Sequence, residues 1–536
     1  MSDEGHDVER QDASSRTPIS RRSVLKGMAA GGALVATGGL PPTRELSRLS
    51  GATTSHAKTG IKNGGNLRIA LTGGSSADTL DAALEVTAVD DERVFALYNG
   101  VCRLTNDAKG VVNDLAAEME TNSTATEWTI RLLPDLTFHN GKAVTAEDVK
   151  FTFQRILNPK LPGDGFSVLQ AIERMEILDP LTVRLFMSTP YAAFPQSLCE
   201  SENFGIVPVG YDPKHPVGTG PFKYESFTPG VQSVFTRNEN YHVSGSPHVD
   251  KLTLIDFADN TSAMDALTSG VVDCFGGAPP ELLHETPAPF VAQPSLPGMW
   301  TPFTMRVDAA PFNDVRVRQA FRLIVDRQAM IEASLDGLGV VGNDVFAEND
   351  PCYNKSLHRE QDLEQAKFLL KQAGRENLTV ELVTSPGIAA GCVEAAEVFA
   401  QQAQGAGVRV KINNVPYSTF VGPGYLHWVF AQDFWGTNFF LSQVASGMFK
   451  DSPWNETHWN DPHYNALYNE AQATVDPVKR CSVINEMELI DFDSGGYIVY
   501  VYNKILNISA AHVRGLEPTG VGNPYSPTNF ESVWLD

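Results

Sequence analysis

The 536-residue sequence lacks the short motifs that mark many hydrolases and nucleotide-binding enzymes. It contains no GxSxG nucleophile elbow, no HExxH metal motif and no GxxxxGK(S/T) phosphate loop. An enzyme without these motifs would need catalytic residues that lie far apart in the sequence and cannot be recognised there. We therefore expect a protein that is not an enzyme and that holds no cofactor or metal.

Cysteine is also scarce, and its spacing argues against two further kinds of site. No two cysteines form a CxxC pair, which disfavours a zinc ribbon and a thioredoxin-type redox site. The six cysteines are Cys102, Cys199, Cys274, Cys352, Cys392 and Cys481. The sequence does not select a disulfide pairing among them, and buried free thiols are an equally good interpretation.

Basic residues are in the minority, since 41 lysines and arginines face 64 aspartates and glutamates, and the formal net charge is −23. An acidic surface repels the phosphates of nucleic acids and anionic lipids. No stretch beyond the N-terminal region reaches the roughly 18 unbroken apolar residues that a membrane-spanning helix needs. We therefore expect the mature protein to be soluble, with no nucleic-acid partner.

The N-terminal region indicates where the protein works. The segment Ser20–Lys26 (SRRSVLK) is followed by a short apolar run rich in glycine and alanine, Gly27–Leu40. This arrangement resembles a twin-arginine (Tat) export signal, with Val24 in place of the usual phenylalanine. A chance arginine pair in a basic tail is the weaker interpretation. The resemblance implies that the folded protein is exported to the periplasm or the cell exterior.

Two details of this region refine the prediction. No cysteine lies in or just after the apolar run, so we expect no lipid anchor. Small-residue cleavage sites end at Ala52 and Ala57, which puts the start of the mature chain near Thr53 or Lys58. We therefore assign residues 1–57 to the signal peptide and leader.

Strands and helices alternate along the remaining residues, which predicts an α/β or mixed α+β fold with more than one lobe. Residues 378–412 have the pattern of a strand, a helix and a strand, which predicts parallel strands. Thr145 is placed to cap a helix with an acidic first turn. A single helix is expected over Asp314–Leu335, and the proline-rich residues 278–302 are expected to run over the surface between lobes.

Four segments, well spaced along the chain, together resemble one protein family. They are Trp128–Phe153, Val217–Phe222, Pro311–Ala320 and Asn460–Leu467. Each motif alone is weak, but in this order they are similar to the extracytoplasmic solute-binding proteins, family 5, of peptide- and nickel-type ABC importers. The resemblance covers residues 64–536. Its motif residues have the character of caps, turns and packing charges, so they identify a fold and not a cargo.

The resemblance implies a bilobal, periplasmic-binding-protein-like hinge fold with an extra subdomain. Lobe I would comprise residues 60–103, 218–300 and 505–536, the subdomain residues 104–217, and lobe II residues 301–504. Such a protein captures a short peptide or peptide-like solute between its lobes by hinge closure and delivers it to a membrane permease and its ATPase. We expect a monomer that carries out no chemistry.

Within the resemblance, the segment around Asp433 is the most informative for the ligand site. In peptide-binding relatives a similar stretch supplies an aspartate that pairs with the amino terminus of the peptide. Asp433 matches this aspartate, and Phe434 matches its aromatic neighbour. Phe430 stands where tryptophan is usual, Trp435 follows the aromatic position, and the usual proline is missing. We assign these residues and Asn438 to the ligand site. The alternative is that Asp433 is a surface acid and the aromatics belong to the core.

Four further residues complete the predicted site. Arg306 replaces an asparagine that is usual in relatives, and its guanidinium could hold a ligand carboxylate with two hydrogen bonds. The alternative for Arg306 is an ordinary surface ion pair. Trp300 could form an apolar wall, although core packing is the commoner role of a tryptophan. Ser75 and Ser76 follow the first strand, where α/β lobes commonly present polar groups to a ligand.

The sequence is also compatible with other functions. His458, Asp461 and His463 lie close together in sequence and could form a metal cluster, although a solvated turn is the more ordinary interpretation. A metal chelate or a non-peptide organic solute is therefore an alternative cargo. A secreted hydrolase on a similar scaffold and a chemoreceptor-type ligand carrier are the alternative functions.

Overall fold

The computed structural model describes residues 60–536 except Val86, Pro162, Asp164, Ser201, Lys450 and Asp451. The predicted signal peptide and leader, residues 1–57, lie outside the described residues. Strands and helices alternate through the described chain, so the predicted mixed α/β class is confirmed. In this part of the chain, no helix combines the length and the apolar character needed to cross a bilayer.

The strands and helices are numbered in chain order. The strands are β1 (Asn66–Thr72), β2 (Cys102–Leu104), β3 (Val111–Asn113), β4 (Ala116–Thr121), β5 (Glu127–Leu132), β6 (Ile172–Asp179), β7 (Thr182–Met187), β8 (Phe222–Thr228), β9 (Gln232–Arg237), β10 (Lys251–Phe257), β11 (Cys274–Ala278), β12 (Val291–Pro294), β13 (Phe303–Met305), β14 (Gly339–Val341), β15 (Thr379–Thr384), β16 (Arg409–Asn414), β17 (Phe430–Gln432), β18 (Tyr497–Ile498), β19 (Val501–Asn503), β20 (Leu506–Ser509), β21 (Val513–Arg514) and β22 (Trp534–Leu535). The helices are α1 (Ala88–Leu97), α2 (Ala146–Ile156), α3 (Gly165–Leu169), α4 (Phe194–Cys199), α5 (Asn260–Thr268), α6 (Leu282–Glu285), α7 (Val315–Ile324), α8 (Arg327–Leu335), α9 (Leu363–Gln372), α10 (Cys392–Gly405), α11 (Tyr417–Phe420), α12 (Phe440–Gln443), α13 (Pro462–Ala473), α14 (Pro477–Ser494) and α15 (Pro527–Ser532).

The largest sheet has seven strands in the order β12-β20-β11-β1-β10-β9-β8. Strand β1 is parallel to both of its neighbours, and the outer strands are antiparallel. On β1 the apolar residues Leu67, Ile69 and Leu71 are buried, as the alternating sequence predicts. The strands come from early, middle and late parts of the chain, so this lobe is discontinuous in sequence.

A second sheet has five strands in the order β16-β15-β17-β13-β18. Strands β15 and β16 are parallel and are connected by α10, so the strand-helix-strand unit predicted for residues 378–412 is confirmed. Its core includes the buried rings of Phe303, Phe399 and Phe430. Strand β17 lies between β15 and β13, and this position places the residues that follow it beside the connection to the first lobe.

Two chain segments run between the two large sheets and are hydrogen-bonded to each other. Residues 295–302 lead from β12 to β13, and residues 499–505, which include β19, lead from β18 to β20. The Ser295 N–H donates to the Ile505 carbonyl at 2.7 Å, and the Ile505 N–H donates to the Ser295 hydroxyl at 2.8 Å. Paired connections of this kind concentrate any relative movement of the lobes in a few residues, which is the property of a hinge.

A smaller antiparallel sheet, in the order β4-β5-β7-β6, packs against α2. Thr145 and Asp148 form a capping box at the start of α2, so the predicted cap is confirmed. The helix buries Val149 and Phe153 in a core that this sheet largely supplies. The sheet and helix therefore form a subdomain with a core of its own.

The single helix predicted over Asp314–Leu335 is wrong, because the chain forms two helices there. Helix α7 ends at Ile324, Val325 is extended, and α8 begins at Arg327. The Asp326 side chain accepts a hydrogen bond from the Ala329 N–H at 3.0 Å. An aspartate in this position favours a new helix start over a continuous helix, because its side chain satisfies an otherwise unpaired N–H group.

The prediction that the proline-rich residues 278–302 run over the surface between lobes is also wrong in part. Residues Val291–Pro294 form β12, which pairs with β20 at the edge of the largest sheet. Trp300, near the end of the segment, is 1% exposed. Proline is tolerated in β12 because an edge strand leaves one side of its backbone unpaired.

Cys352 and Cys481 form a disulfide, a pairing that the sequence did not select. The bond joins the loop after β14 to helix α14 across 129 residues of sequence. It therefore ties two distant parts of the second lobe together.

Candidate functional site

The end of β17 borders a very small cavity of about 10 Å³. Its walls are formed by Thr304, Phe420, Tyr425, Leu426, Trp428, Ala431, Gln432, Asp433 and Glu456. Sites for complete small molecules are usually larger, roughly 300–1,000 Å³. The cavity therefore has room for about one water-sized group, such as an ammonium group, and not for a whole ligand.

Asp433 lies beside the hinge as well as beside the cavity. Its N–H donates to the Pro302 carbonyl at 3.1 Å, and two residues later Trp435 exchanges backbone hydrogen bonds with Trp300. The backbone that carries Asp433 is thus attached to one of the two segments connecting the lobes. A ligand held at Asp433 would act directly on that segment.

Two carboxylates face the cavity between aromatic rings. The Asp433 side chain is 2% exposed, and its Oδ1 accepts a hydrogen bond from the Phe434 N–H at 2.9 Å. Glu456 is also buried and accepts a hydrogen bond from the Trp435 indole N–H at 2.9 Å. Buried carboxylates near aromatic faces are suited to a cationic group, because both attract positive charge and little water competes.

Gln432 adds a hydrogen-bond donor to the same cavity. The side chain is fully buried, and its carbonyl oxygen accepts a hydrogen bond from the Thr384 hydroxyl at 2.6 Å. Its amide nitrogen has no acceptor among the described residues. Leaving a buried donor unpaired costs about 1–3 kcal/mol, so an acceptor supplied by a ligand would be favourable here. Neither Gln432 nor Glu456 is among the predicted site residues, because a buried glutamine or glutamate has no local sequence signature.

The predicted aromatic residues are mostly parts of packed cores. Phe430 and Trp300 are each 1% exposed and are not among the residues that line the cavity. Trp300 stacks on Trp435 with ring centres 6.0 Å apart. Phe434 belongs to the cluster that contains the cavity residue Phe420. Of this aromatic set, Phe434 shares a hydrophobic cluster with a cavity residue, and Trp435 donates a hydrogen bond to the cavity residue Glu456.

Asn438 lies a few residues beyond the cavity. Its side-chain amide donates to the Gln443 carbonyl oxygen at 3.0 Å. The neighbouring Thr437 hydroxyl donates to the Gly520 carbonyl at 3.1 Å, and the Phe439 N–H donates to the Glu200 carboxylate. This segment therefore connects the second lobe with residues of the C-terminal region and of the subdomain.

Arg306 forms an ion pair with Asp308, two residues further along the chain. Its Nε and Nη2 donate to the two Asp308 oxygens at 3.0 and 2.8 Å, and its Nη1 donates to the His427 carbonyl at 3.0 Å. The Arg306 guanidinium, with His458 nearby, lowers the pKa of Asp308 to about 2. Through His427, Arg306 holds the loop that supplies Tyr425 and Trp428 to the cavity. Contact between Arg306 and a ligand carboxylate stays a prediction.

Ser75 and Ser76 lie in the loop after β1. The Ser75 N–H and hydroxyl donate to Asp78 Oδ1 at 2.8 and 3.1 Å, and Ser76 is exposed. Asp78 in turn accepts a hydrogen bond from Arg93 at 3.0 Å. The structure thus brings Ser75 to a buried ion-pair cluster, and neither serine is among the residues that line the cavity at Asp433.

His458, Asp461 and His463, which could form a metal cluster by their sequence spacing, each have a different protein partner. His458 contacts Asp308 at 3.0 Å, and His463 contacts Glu486 at 2.9 Å. Asp461 caps α13 by accepting from the Tyr464 N–H. Across the described residues, no group of three or more histidine, cysteine, aspartate or glutamate side chains is arranged to hold a metal ion.

A second and larger opening, of about 310 Å³, lies between the loop after β11, the C-terminal end of α8 and the start of α10. The charged residues on its walls are Glu281, Asp336 and Glu394. All three carboxylates are exposed, so water solvates them without help from a ligand. This opening adds acidic surface between segments of the two lobes.

The sequence matches two known protein signatures. The profile of the bacterial extracellular solute-binding proteins, family 5, matches residues 110–469. The profile of the Tat signal sequence matches residues 18–38, which confirms the export signal predicted from the arginine pair.

Individual relatives extend this similarity. A glutathione-binding protein from Pectobacterium atrosepticum is 27% identical over 57% of this chain and 60% of the relative. Di/tripeptide-binding protein 4 from Pseudomonas aeruginosa is 26% identical over 83% of this chain and 90% of the relative. The chain therefore spans somewhat less than two thirds of the first relative and most of the second.

Solved structures share the bilobal fold. The periplasmic binding protein DppA of Helicobacter pylori, in complex with the peptide STSA, superposes with a TM-score of 0.71. It is 22% identical, and the match covers 88% of this chain and 98% of that protein. At this level of identity the similarity establishes the fold.

Proposed function

Because the chain belongs to the bacterial extracellular solute-binding proteins, family 5, we propose that it is the substrate-binding protein of an ABC importer. Its ligand is a short peptide or peptide-like solute, which it captures outside the membrane and delivers to a permease and ATPase. It acts as a monomer and carries out no covalent chemistry. The Tat signal supports the extracytoplasmic location.

The observation that carries this proposal is the combination of groups in the cavity at the end of β17. Asp433 and Glu456 supply negative charge, and Gln432 supplies a donor without an acceptor among the described residues. A peptide amino terminus places an ammonium group beside a carbonyl oxygen, so one end of a peptide matches both features. A bare metal ion would leave the Gln432 donor unpaired.

Hinge closure is the proposed means of capture. We assign lobe I to residues 60–103, 218–300 and 505–536, the subdomain to residues 104–217, and lobe II to residues 301–504. A ligand that contacts Asp433 and the opposing lobe stabilises the closed state by the difference between its affinities for the closed and open states. The permease would recognise that closed state.

The first experiment identifies the natural cargo. Protein purified without unfolding is denatured, and the released small molecules are analysed by mass spectrometry, with the buffer of the last column as the blank. We expect a compound with a free amine next to a carbonyl group. A compound without any amine would contradict the assignment of the cavity, and a metal chelate would instead support the alternative cargo.

The second experiment tests binding without chemistry. Protein freed of ligand by unfolding and refolding is titrated calorimetrically with a panel of dipeptides and tripeptides, including glutathione. We expect at least one peptide to bind with a stoichiometry near one and to be recovered unchanged after prolonged incubation. Progressive cleavage of the bound peptide would show that the protein is a hydrolase.

A further inference from the structure

Two cysteines approach each other closely at one edge of the subdomain. Cys102 begins β2 and Cys199 ends α4, and α4 packs against β2. Their sulfur atoms are 3.0 Å apart. A disulfide joins its sulfur atoms at about 2.05 Å, so a small movement of either side chain brings this pair to bonding distance.

The other cysteines have different surroundings. Cys352 and Cys481 are already bonded to each other. Cys274 is buried in a core of the first lobe, and Cys392 is buried in the cluster behind Phe434. Cys102 and Cys199 are thus the two thiols whose positions in the fold allow a second bond.

We propose that Cys102 and Cys199 form a second disulfide in the exported protein. Two S–H bonds break and one S–S bond forms between the two side chains. The two electrons and two protons pass to a disulfide-bearing oxidant of the extracytoplasmic space, whose own S–S bond is cleaved to give two thiols. The Tat signal supports this chemistry, because the space outside the membrane allows disulfides to persist.

The burial of Cys102 and the partial burial of Cys199 favour a bond that lasts. Cys102 is 4% exposed, and its surroundings exclude reductants as well as water. Burial, reinforced by the neighbouring Cys102, raises the pKa of the Cys199 thiol. Since the thiolate is the attacking form, the folded pair exchanges slowly in either direction. The bond therefore forms when the end of α4 opens briefly and is protected afterwards.

The position of the disulfide connects it to the segment that follows the candidate site. The Ser197 hydroxyl on α4 lies 2.8 Å from the Ser442 hydroxyl, and Glu200, next to Cys199, accepts the hydrogen bond of the Phe439 N–H. A covalent link from α4 to β2 holds these contact groups in place. The disulfide thereby stabilises the part of the subdomain, helix α4, that contacts the second lobe.

Counting thiols tests the bond directly. The mature protein is collected from the extracytoplasmic fraction without reductant, quenched in acid and alkylated in denaturant. Of six cysteines, two disulfides leave two alkylated thiols, and the Cys352–Cys481 bond alone leaves four. We expect two, together with a proteolytic peptide pair that joins Cys102 to Cys199. Four alkylated thiols would overturn the proposal.

Single substitutions give a check that does not depend on the absolute count. Cys102→Ser should raise the number of alkylated thiols from two to three, because it frees Cys199. The control Cys274→Ser should lower the number from two to one, because it removes a thiol that is already free. If Cys102→Ser lowers the number instead, the two residues are not bonded in the wild-type protein.

Hydrogen exchange tests the consequence for α4. In the double variant Cys102→Ser with Cys199→Ser, we expect the amides of α4 and of Phe439–Gln443 to exchange several-fold faster than in the oxidised wild type. Cys274→Ser should exchange at the wild-type rate in both segments. Unchanged protection in the double variant would show that the bond does not hold this contact.

Discussion

Two buried polar clusters, one beside each large sheet, differ in how completely their hydrogen-bonding groups are used. In the first, all three nitrogens of the fully buried Arg93 guanidinium donate to partners of the same chain, namely Asp78, Asp90, Asp256 and Ser233. In the second, Asp433, Glu456 and Gln432 surround a cavity, and the Gln432 amide nitrogen has no acceptor among the described residues.

Whether buried donors find all their partners within the chain helps to distinguish polar groups that serve folding from those that could serve binding. A buried charge is costly unless it is paired, so a cluster with every donor used needs nothing from outside to be stable. In the second cluster, the Gln432 amide nitrogen lies beside the cavity with Asp433 and Glu456, and a ligand could supply the hydrogen-bond acceptor that it lacks. We therefore propose that the Arg93 cluster serves folding and that the Asp433 cavity serves binding.

The largest effect is expected from Arg93→Met, which removes the cation and leaves buried carboxylates without a partner. Breaking a buried ion pair typically costs about 3–5 kcal/mol, and we expect a loss of this size in the free energy of unfolding. Denaturant titration measures it. The control is Arg131→Met, whose pair with Glu118 is half exposed and screened by solvent, so its loss should change the free energy of unfolding far less. Equal losses in the two variants would contradict the structural role of Arg93.

The acids of the Arg93 cluster should also make the free energy of unfolding depend on pH. Burial raises the pKa of Asp90 to about 7 and the pKa of Asp256 to about 6, although Arg93 opposes both shifts. A raised pKa means that the folded protein holds protons that the unfolded chain releases above about pH 4. The contribution of these groups is thus fully present below about pH 4 and is lost as the pH rises through about 6 to 7.

Asp90→Asn isolates this contribution. The substitution keeps the shape of the side chain and removes its titration, so the free energy of unfolding should fall less steeply between about pH 4 and 7. Unfolding at a series of pH values measures the slope. Asp265→Asn, at an exposed position on α5, is the control and should keep the wild-type slope. An unchanged slope in Asp90→Asn would mean that Asp90 is charged throughout this range.

A smaller effect is expected at Gln432. Gln432→Leu removes the donor that faces the cavity, and we expect the affinity for a bound peptide to fall by about 0.5–1.5 kcal/mol, the usual net value of one hydrogen bond. Thr384→Val is the matched control, because it removes the other partner of the Gln432 amide and leaves its nitrogen in place. If both variants weaken binding equally, Gln432 supports the fold of the site and does not contact the ligand.

Much of the fold could be predicted from the sequence because periodicity and capping are local. The alternation in β1, the cap at Thr145 and the strand-helix-strand unit of residues 378–412 each depend on neighbouring residues and are confirmed. The break at Asp326 was not predicted because α7 and α8 are both apolar on one face, as one continuous helix would be. The Asp326 side chain nevertheless caps a new helix at this position.

The site could be predicted only in part. The family resemblance indicated Asp433, which lies in the wall of the cavity. It could not indicate Glu456 or Gln432, because their approach depends on how distant segments pack around β17. Nor could the sequence show that Arg306 is paired with Asp308, two residues away, since side-chain direction after a strand is set by the surrounding loops.

In the proposed function, Asp433 recognises the amine of the ligand. The most direct measurement is calorimetric titration of a bound tripeptide and of its N-acetylated form, with both the wild type and Asp433→Asn. A hydrogen bond to a charged group contributes about 1.5–3 kcal/mol, so the wild type should prefer the free amine by roughly ten- to a hundred-fold. In Asp433→Asn this preference should largely disappear while the fold is retained. An undiminished preference in a folded Asp433→Asn variant would contradict the account.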